Sequence, residues 1–304
     1  MPIFKLPPRL PFRRLGIAGL GLIGGSLAKA LSPFDGLEIN VYDGDPATIE
    51  ELKLVRRYKN VVQDPDDFIG LDLDLAYLCM PVHRNIEMIE KMGHRKVSYA
   101  VTDSGSTKCA TNKAALKAGL NFCGGHPIAG KEVAGYGNST PDLIPGCLFI
   151  LTPDPLFGAR QKELLGRLKA LHELLGCHIE ILSPEEHDEL YSLVSHLPYL
   201  TASALTGTVM GRGGPEVLSF AGTGFKDTTR VSASPPEKWV AVILDNAENL
   251  ARDLGSLMEV ISELKKAVED KNGPLILSLL DSFANFRRKL ESSKKDREKR
   301  KSRR

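Results

Sequence analysis

Apolar and polar positions along the chain fall into two regimes. From residue 12 to 182, short apolar runs bounded by turn residues alternate with stretches whose apolar positions recur at helical spacing. This pattern predicts strands at 15–18, 37–42, within 71–82, at 97–101, 147–152 and 178–182, with helices between them. Strands that alternate with helices in this way predict an α/β fold, a Rossmann-type doubly wound sheet. From Ser183 the pattern is helical, so residues 183–290 are expected to form an all-helical domain. Residues 291–304 carry almost no apolar side chains and are expected to be a disordered basic tail.

Local signals sharpen the second regime. Ser183-Pro184-Glu185-Glu186 and Ser234-Pro235-Pro236-Glu237 both read as capping boxes with Pro at the first helical position. The helix opened by Ser183 is expected to run through Ser195 and His196 towards Thr206. At roughly 100° per residue, Ser195, His196 and Tyr199 share one broad face, and His187 falls on the opposite side, which predicts that one of the two histidines is structural. Phe220 to Arg230 reads as a loop or broken helix, and Asn272-Gly273-Pro274 separates two final helices. The faces bearing Leu257, Ile261 and Leu264 suit packing against each other or against a second subunit, so a homodimer through the helical domain is expected.

Composition narrows the class. The chain has 304 residues, enough for two cores, and its formal net charge is only +2. Eight Lys/Arg against three Asp/Glu lie in Glu291 to Arg304, a local +5 that leaves the rest near −3 and gives no reason to expect nucleic-acid binding by the body. Five widely spaced cysteines without a CxxC point to reduced thiols and a cytoplasmic setting. No HxxxH or HExxH pattern suggests a metal. The Pro-rich, basic N-terminus lacks a signal-peptide core, and no run approaches the ~18 apolar residues of a membrane span.

The first strand runs into Gly19-Leu20-Gly21-Leu22-Ile23-Gly24 and then into a helical pattern. This is the glycine fingerprint in the context it requires: Gly19 for a tight turn, Gly21 for backbone approach to a pyrophosphate, Gly24 for close helix packing. The helix N-terminus then offers free N–H groups to the phosphates. Asp43 ends the next strand, nineteen residues beyond Gly24, where an acidic side chain accepts from the adenosine ribose and repels a 2′-phosphate. NAD is therefore the expected cofactor. Met80-Pro81 and Asp103 close two further strands at the carboxyl edge that opens onto the ligand crevice.

Between the two regimes lies Gly124-Gly125-His126-Pro127-Ile128-Ala129-Gly130, read as backbone too irregular for a long strand or helix. A histidine at such a seam is either a turn residue or an acid or base. Ser106 follows the strand end at Asp103, where it either faces the ligand or caps the next helix, and capping is the simpler reading. Arg230 is suited to clamp a carboxylate through two parallel hydrogen bonds, or to pair with Asp227 at the surface.

Taken in order, GLGLIGGSLA, DSGSTK, GGHPIAGKE, SPEEHD, SHLP and GFKDTTRVSASPPEKW resemble the prephenate/arogenate dehydrogenase family, over roughly Arg14 to Leu264. The resemblance implies NAD-dependent oxidative decarboxylation of prephenate, with arogenate as the alternative substrate, and a helical domain that pairs two subunits. It implies that His126 hydrogen-bonds the ring hydroxyl with Ser106 as partner, and that Arg230 binds a substrate carboxylate. Glu132 and Asp227 would be charged residues around the entrance, with Trp239 the aromatic of the same loop. Ser195, His196, Tyr199 and Lys131 complete the expected substrate shell.

Three positions depart from the family pattern: Tyr199 where many members have a second His, Lys131 where a hydroxyl residue is common, and Thr223 within a run that often reads GGG. Two other classes remain open from sequence. A β-hydroxyacid dehydrogenase normally uses a lysine from its helical domain, and no isolated Lys lies on the Ser195 face. An NAD-binding regulator would use the basic tail for nucleic acid.

Overall fold

In the computed structural model of the chain, residues 10–131 and 133–301 are described, with side chains as far as Leu290. Compaction divides the chain between Leu250 and Ala251.

The first unit is built on five parallel strands, β1 (Arg14–Ala18), β2 (Glu38–Tyr42), β3 (Asn60–Val62), β4 (Leu75–Leu78) and β5 (Ala100–Asp103), in the spatial order β3-β2-β1-β4-β5. The helices α1 (Leu22–Leu31), α2 (Pro46–Leu54), α3 (Pro65–Ile69) and α4 (Val82–His94) are the crossovers, and α5 (Cys109–Lys117) follows β5. The order reverses at β1, so the carboxyl ends of β1 and β4 flank the switch point at which such sheets bind ligands. One face of the sheet buries Phe68, Ile89, Met92 and Phe122, and the other buries Leu15, Leu27, Leu31 and Tyr77. Each fully buried side chain of this size contributes about 1.5–3 kcal/mol relative to exposure.

The regular ladder of the doubly wound sheet ends at β5, beyond which a single parallel bridge joins Val101 to Phe122. The strands β6 (Gly124–Ile128), β7 (Leu148–Thr152) and β8 (His178–Ile181) form a separate three-stranded sheet, in the order β6-β7-β8, rather than extending the first. β6 is antiparallel to β7, and β7 is parallel to β8. Helix α6 (Ala159–Leu174) connects β7 to β8 and places Leu164, Leu168 and Leu171 in the core that also holds Leu15 and Tyr77, so the two sheets share one hydrophobic interior. His172 of α6 is fully buried there, stacked on Phe149 at 3.7 Å and bonded to the Tyr77 hydroxyl at 3.2 Å.

Beyond β8 the chain is helical. The first capping box forms as expected: the Ser183 hydroxyl accepts from Glu186 N–H, and the Glu186 carboxylate accepts from Ser183 N–H. It opens α7 (Pro184–Tyr191), which continues through a π turn at Ser192–His196 into α8 (Leu197–Gly213). Then come α9 (Thr223–Thr229) and α10 (Pro236–Asp245). The second capping box does not form. Ser234 donates its hydroxyl backwards to the Val231 carbonyl at 2.8 Å, and α10 starts without a side-chain cap, because the turn before it already engages that hydroxyl.

The boundary between the units falls inside α11 (Ala247–Glu269). In the second unit, Lys271 adopts a positive φ of 50° and ends the helix. The Asn272 side chain then accepts from Leu275 N–H at the start of α12 (Gly273–Lys301). Where composition predicts disorder, α12 continues through the basic segment as far as Lys301, a stretch rich in Lys, Arg and Glu, all good helix formers. Leu257 and Leu264 are half-buried, whereas Met258, Ile261 and Phe286 stay 69%, 52% and 75% exposed.

Candidate active site

The dinucleotide fingerprint folds as its spacing demands. Gly19 has φ 89°, and a β-carbon there would collide with Met80. A β-carbon on Gly24 would run into the Gly19 carbonyl and crowd the Cys79 side chain, so α1 lies against the β1 turn only because Gly24 lacks one. Gly21 has nothing within 4 Å of where its β-carbon would stand, and it precedes the first turn of α1, which has no side-chain cap. Uncapped N–H groups beside open space make a cradle for an anion. Asp43 accepts from Leu20 N–H at 2.7 Å through one oxygen and from Asp45 N–H at 2.9 Å through the other, so each oxygen keeps a lone pair for a hydroxyl. Met80 is half-buried and Pro81 exposed at the carboxyl end of β4.

The register of the sheet carries this edge towards His126. Leu78 of β4 pairs with Asp103 of β5. Asp103 is fully buried and turned inward: it binds Lys108 Nζ at 2.6 Å, Gly105 N–H at 3.0 Å and Gly125 N–H at 3.1 Å. Lys108, itself fully buried, also donates to the Gly125 carbonyl at 2.7 Å. The pair therefore anchors the backbone immediately before His126, and Asp103 faces this anchor rather than solvent.

Gly124-Gly125-His126-Pro127-Ile128 is a regular edge strand, not irregular backbone. Pro127 is tolerated because an edge strand leaves half of its N–H groups without ladder partners. The glycines are present for close approach: a β-carbon on Gly125 would stand 2.7 Å from the Asp103 carbonyl oxygen. Strand alternation buries Gly125 and Pro127 and leaves His126 half-buried, on the side facing α7.

On that side the helical segment supplies a cluster that sequence reading divided. His126 Nδ1 lies 2.8 Å from His187 Nε2, and His187 Nδ1 lies 2.8 Å from the Asp188 carboxylate. Tyr191 stacks on His187 at 4.6 Å and packs against His126 at 4.9 Å. Asn246 donates to the Asp188 carbonyl at 2.7 Å and to His196 Nδ1 at 3.2 Å, which joins the two histidines expected on opposite faces. The π turn is the reason. It absorbs one extra residue, so the angular offset between His187 and His196 falls from about 180° to about 80°. Pro198 lies in the first turn of α8.

His126 is held well below the ordinary imidazole value, first by burial and then by the charges of His187, Lys108, His196 and Lys238. Burial also lowers His187 and outweighs its hydrogen bond to Asp188. Burial acts to raise Asp188, but hydrogen bonds from His187 and from the N–H groups of Cys109 and Lys108 outweigh it and keep the carboxyl below its usual value. His196 is pushed down to about 4 by burial. Its Nε2 is buried without a hydrogen-bond partner among the described residues, and with Nδ1 accepting from Asn246 that nitrogen carries the proton. The buried donor calls for an acceptor from outside the chain.

Ser106 is half-buried between two anchors, Gly105 on Asp103 and Thr107 on Asp245 at 3.3 Å. It does not cap α5. Asp188 does so from 80 residues away, accepting from Lys108 N–H at 2.7 Å and Cys109 N–H at 2.9 Å. Tyr199 is buried and lies flat on the half-buried Trp239, with centroids 3.9 Å apart, and Trp239 meets His196 edge-on at 6.1 Å. Ser195 is half-buried on the π turn. Lys131, Asp227 and Arg230 are exposed, the last two on α9 and the turn after it, which is tied to α8 by Thr206 and Ser232 at 3.1 Å. Glu132 lies outside the described residues.

Sequence reading missed His187, Asp188 and Asn246. The adjacent His-Asp pair in SPEEHD was the available signal, and helical phase argued it away.

Residues 37–181 match the family described as "Prephenate dehydrogenase, nucleotide-binding domain", and residues 183–283 match "Prephenate dehydrogenase, dimerization domain". Prephenate dehydrogenase of Bacillus subtilis (strain 168) is 30% identical over 283 residues, covering 89% of this chain and 74% of that protein. Cyclohexadienyl dehydrogenase of Zymomonas mobilis is 29% identical over 273 residues, covering 88% and 92%. Among solved structures, prephenate dehydrogenase from A. aeolicus in complex with hydroxyphenyl propionate and NAD+ aligns with a TM-score of 0.84 at 31% identity, over 91% of this chain and 98% of that one. Synechocystis arogenate dehydrogenase aligns with a TM-score of 0.76 at 27% identity, over 91% and 99%. With a paired-histidine seam beside a nucleotide cradle, and with relatives matched along nearly its whole length, this chain belongs to the prephenate/arogenate dehydrogenase family of oxidoreductases.

Proposed function

We propose that the chain is an NAD-dependent prephenate dehydrogenase that converts prephenate to 4-hydroxyphenylpyruvate and carbon dioxide. The observation that carries this reading is His126: a histidine kept neutral by burial, on a strand tied through Asp103 to the dinucleotide edge, and joined through His187 to the helical segment that also carries the buried His196 donor. Gly19, Gly21, Leu22, Ile23 and Gly24 would hold the cofactor's pyrophosphate, Asp43 its adenosine ribose, and Met80 and Pro81 would border it. NAD, when bound, supplies the hydride acceptor.

The residues of the chain account for the rest. Prephenate carries a hydroxyl at C4 of a non-aromatic ring and a carboxylate at C1. Neutral His126 accepts the C4 hydroxyl proton as the carbon gains carbonyl character, and Ser106 orients that hydroxyl. The C1 carboxylate is then vinylogously β to a developing ketone, so carbon dioxide leaves and the ring becomes aromatic. The Nε2–H of His196 offers a fixed donor to a substrate oxygen. Arg230, exposed on a helical segment, is suited to a side-chain carboxylate, with Ser195 and Lys131 as further substrate-shell residues, Asp227 at the entrance and the Tyr199–Trp239 stack as an aromatic wall. Reduced thiols support a cytoplasmic enzyme, and the dimerization-domain match together with the exposed apolar side chains of α11 and α12 supports a homodimer.

Arogenate is the second reading, favoured by one feature. Tyr199 stands where many relatives carry a histidine, and a phenol stays neutral where an imidazole can be cationic. Steady-state assays with both substrates and both nicotinamide cofactors decide it. The expected result is a kcat/KM for prephenate with NAD at least about tenfold above every other combination, about 1.4 kcal/mol of discrimination. Preference for arogenate or for NADP overturns the corresponding part of the proposal.

A further inference from the structure

We propose that His187 and Asp188 are positioning residues that fix His126 as its Nδ1–H tautomer, so that Nε2 is the bare nitrogen offered to substrate. The inference rests on the reading of His126 as the base, and it follows from donor and acceptor bookkeeping along three side chains.

Asp188 is an acceptor at both oxygens. One takes the Cys109 N–H at 2.9 Å, and the other takes the Lys108 N–H at 2.7 Å and faces His187 Nδ1 at 2.8 Å. A carboxylate already receiving two backbone N–H groups has no proton to give, so the proton between it and His187 resides on His187 Nδ1. A neutral imidazole with hydrogen on Nδ1 has a lone pair on Nε2. That lone pair faces His126 Nδ1 at 2.8 Å, and the contact is a hydrogen bond only if His126 Nδ1 carries the hydrogen. His126 Nε2 is then left as an acceptor. Turning His187 over is opposed by its surroundings: the ring is fully buried and stacked on Tyr191.

The same chain holds the charge that catalysis creates. When the substrate hydroxyl proton bonds to His126 Nε2, the oxygen keeps the electron pair of the broken O–H bond and the ring becomes an imidazolium. Its Nδ1–H already donates to His187 Nε2, and His187 Nδ1–H already donates to a carboxylate. The positive charge is thus polarised towards Asp188 with no atom relocating. The carboxylate doing this work also caps α5, the helix that follows the Ser106 loop, so one side chain from the helical segment sets both the tautomer of the base and the start of that helix.

The test uses the full-length enzyme with 15N-labelled histidine. In the wild type, 15N chemical shifts should show protonated Nδ1 and bare Nε2 for His126; the opposite tautomer overturns the proposal, whatever the activity. His187→Leu removes the acceptor. It should lower kcat by about 10–100-fold, part of the span a general base contributes, and leave KM within about twofold. His187→Gln places an amide oxygen near the former Nε2 and should recover kcat to within about fivefold of wild type while restoring the Nδ1–H signal. Equal loss in the Leu and Gln variants, or no loss in either, overturns the assignment. If instead His126→Asn retains near-normal turnover, it is the base role itself that fails, while the tautomer measurement still reads the geometry independently.

Discussion

The nucleotide edge and the histidine seam are built in opposite ways. The edge is made of contiguous backbone: Gly19, Gly21 and Gly24 lie within the six residues that lead from β1 into α1, and Asp43 follows the next strand. Its chemistry comes from N–H groups and missing β-carbons, so the spacing of a few residues contains the whole design. The seam is made of side chains that start far apart, with His126 on a strand, His187 and Asp188 on α7, His196 on a π turn and Asn246 after α10. Apart from the adjacent His187–Asp188 pair nothing there is local, and each group depends on the next. The edge should therefore fail through sterics and the seam through protonation.

The largest test of that contrast is His126→Asn. Turnover should fall roughly 10²–10⁴-fold, with NAD affinity and thermal unfolding close to wild type. Measuring kcat beside an NAD titration checks it, and near-normal turnover would remove His126 from the chemistry.

Next comes acid stability, which separates a buried histidine that only packs from those of the seam. Burial lowers His172 from 6.5 to about 4. As pH falls, the unfolded chain takes up this proton first. The stabilisation is complete above about pH 6.5 and is lost as pH falls towards 4, amounting to about 2 kcal/mol by pH 5. Urea midpoints at pH 7 and pH 5 should draw closer together in His172→Gln than in the wild type, with kcat at pH 7 retained. An unchanged gap between midpoints would show that His172 does not set the acid limit.

Arg230→Ala should raise the KM for prephenate about 10–100-fold with a smaller change in kcat, the span expected when a charge-assisted hydrogen-bonding group is lost. An unchanged KM would place the carboxylate elsewhere.

The smallest expected difference is also the most diagnostic for the edge. Gly24→Ala should destabilise the fold by about 1–3 kcal/mol, because its β-carbon meets backbone. Gly21→Ala should leave stability within about 0.5 kcal/mol and weaken NAD binding alone, since its β-carbon enters open space. Equal unfolding temperatures for the two variants would contradict the division.

Legibility followed the same line. Six of the eight strands among the described residues, the Gly fingerprint turn, the place of Asp43 beyond β2 and the Ser183 capping box were readable because each is fixed by neighbours in sequence, whereas the three-residue β3 (Asn60–Val62) was too short to show a pattern. The end of the parallel sheet was not, since an antiparallel edge strand containing Gly-Gly-His-Pro looks like a loop until its partner β7 is known. Ser106 was read as a cap because Ser after a strand usually is one; the cap came from Asp188, which no spacing rule connects to α5. The inward turn of Asp103 depends on Lys108 being buried beside it, and an exposed lysine is the ordinary expectation. The basic segment showed the converse: composition argued for disorder where helix propensity carried α12 onward.

The π turn at Ser192–His196 makes this site sensitive to chain length as well as to side-chain identity. A substitution within the turn leaves the phase of the helix intact. Removing a single residue there restores uninterrupted α-helical winding and keeps the downstream phase, since eight α-helical steps also set His196 about 80° from His187, whereas removing one residue from α7 between His187 and the turn swings everything downstream by about 100°, carrying His196 away from Asn246 and Tyr199 away from Trp239. The place of one codon, inside the turn or ahead of it, then decides whether the helix still presents two histidines to the same seam.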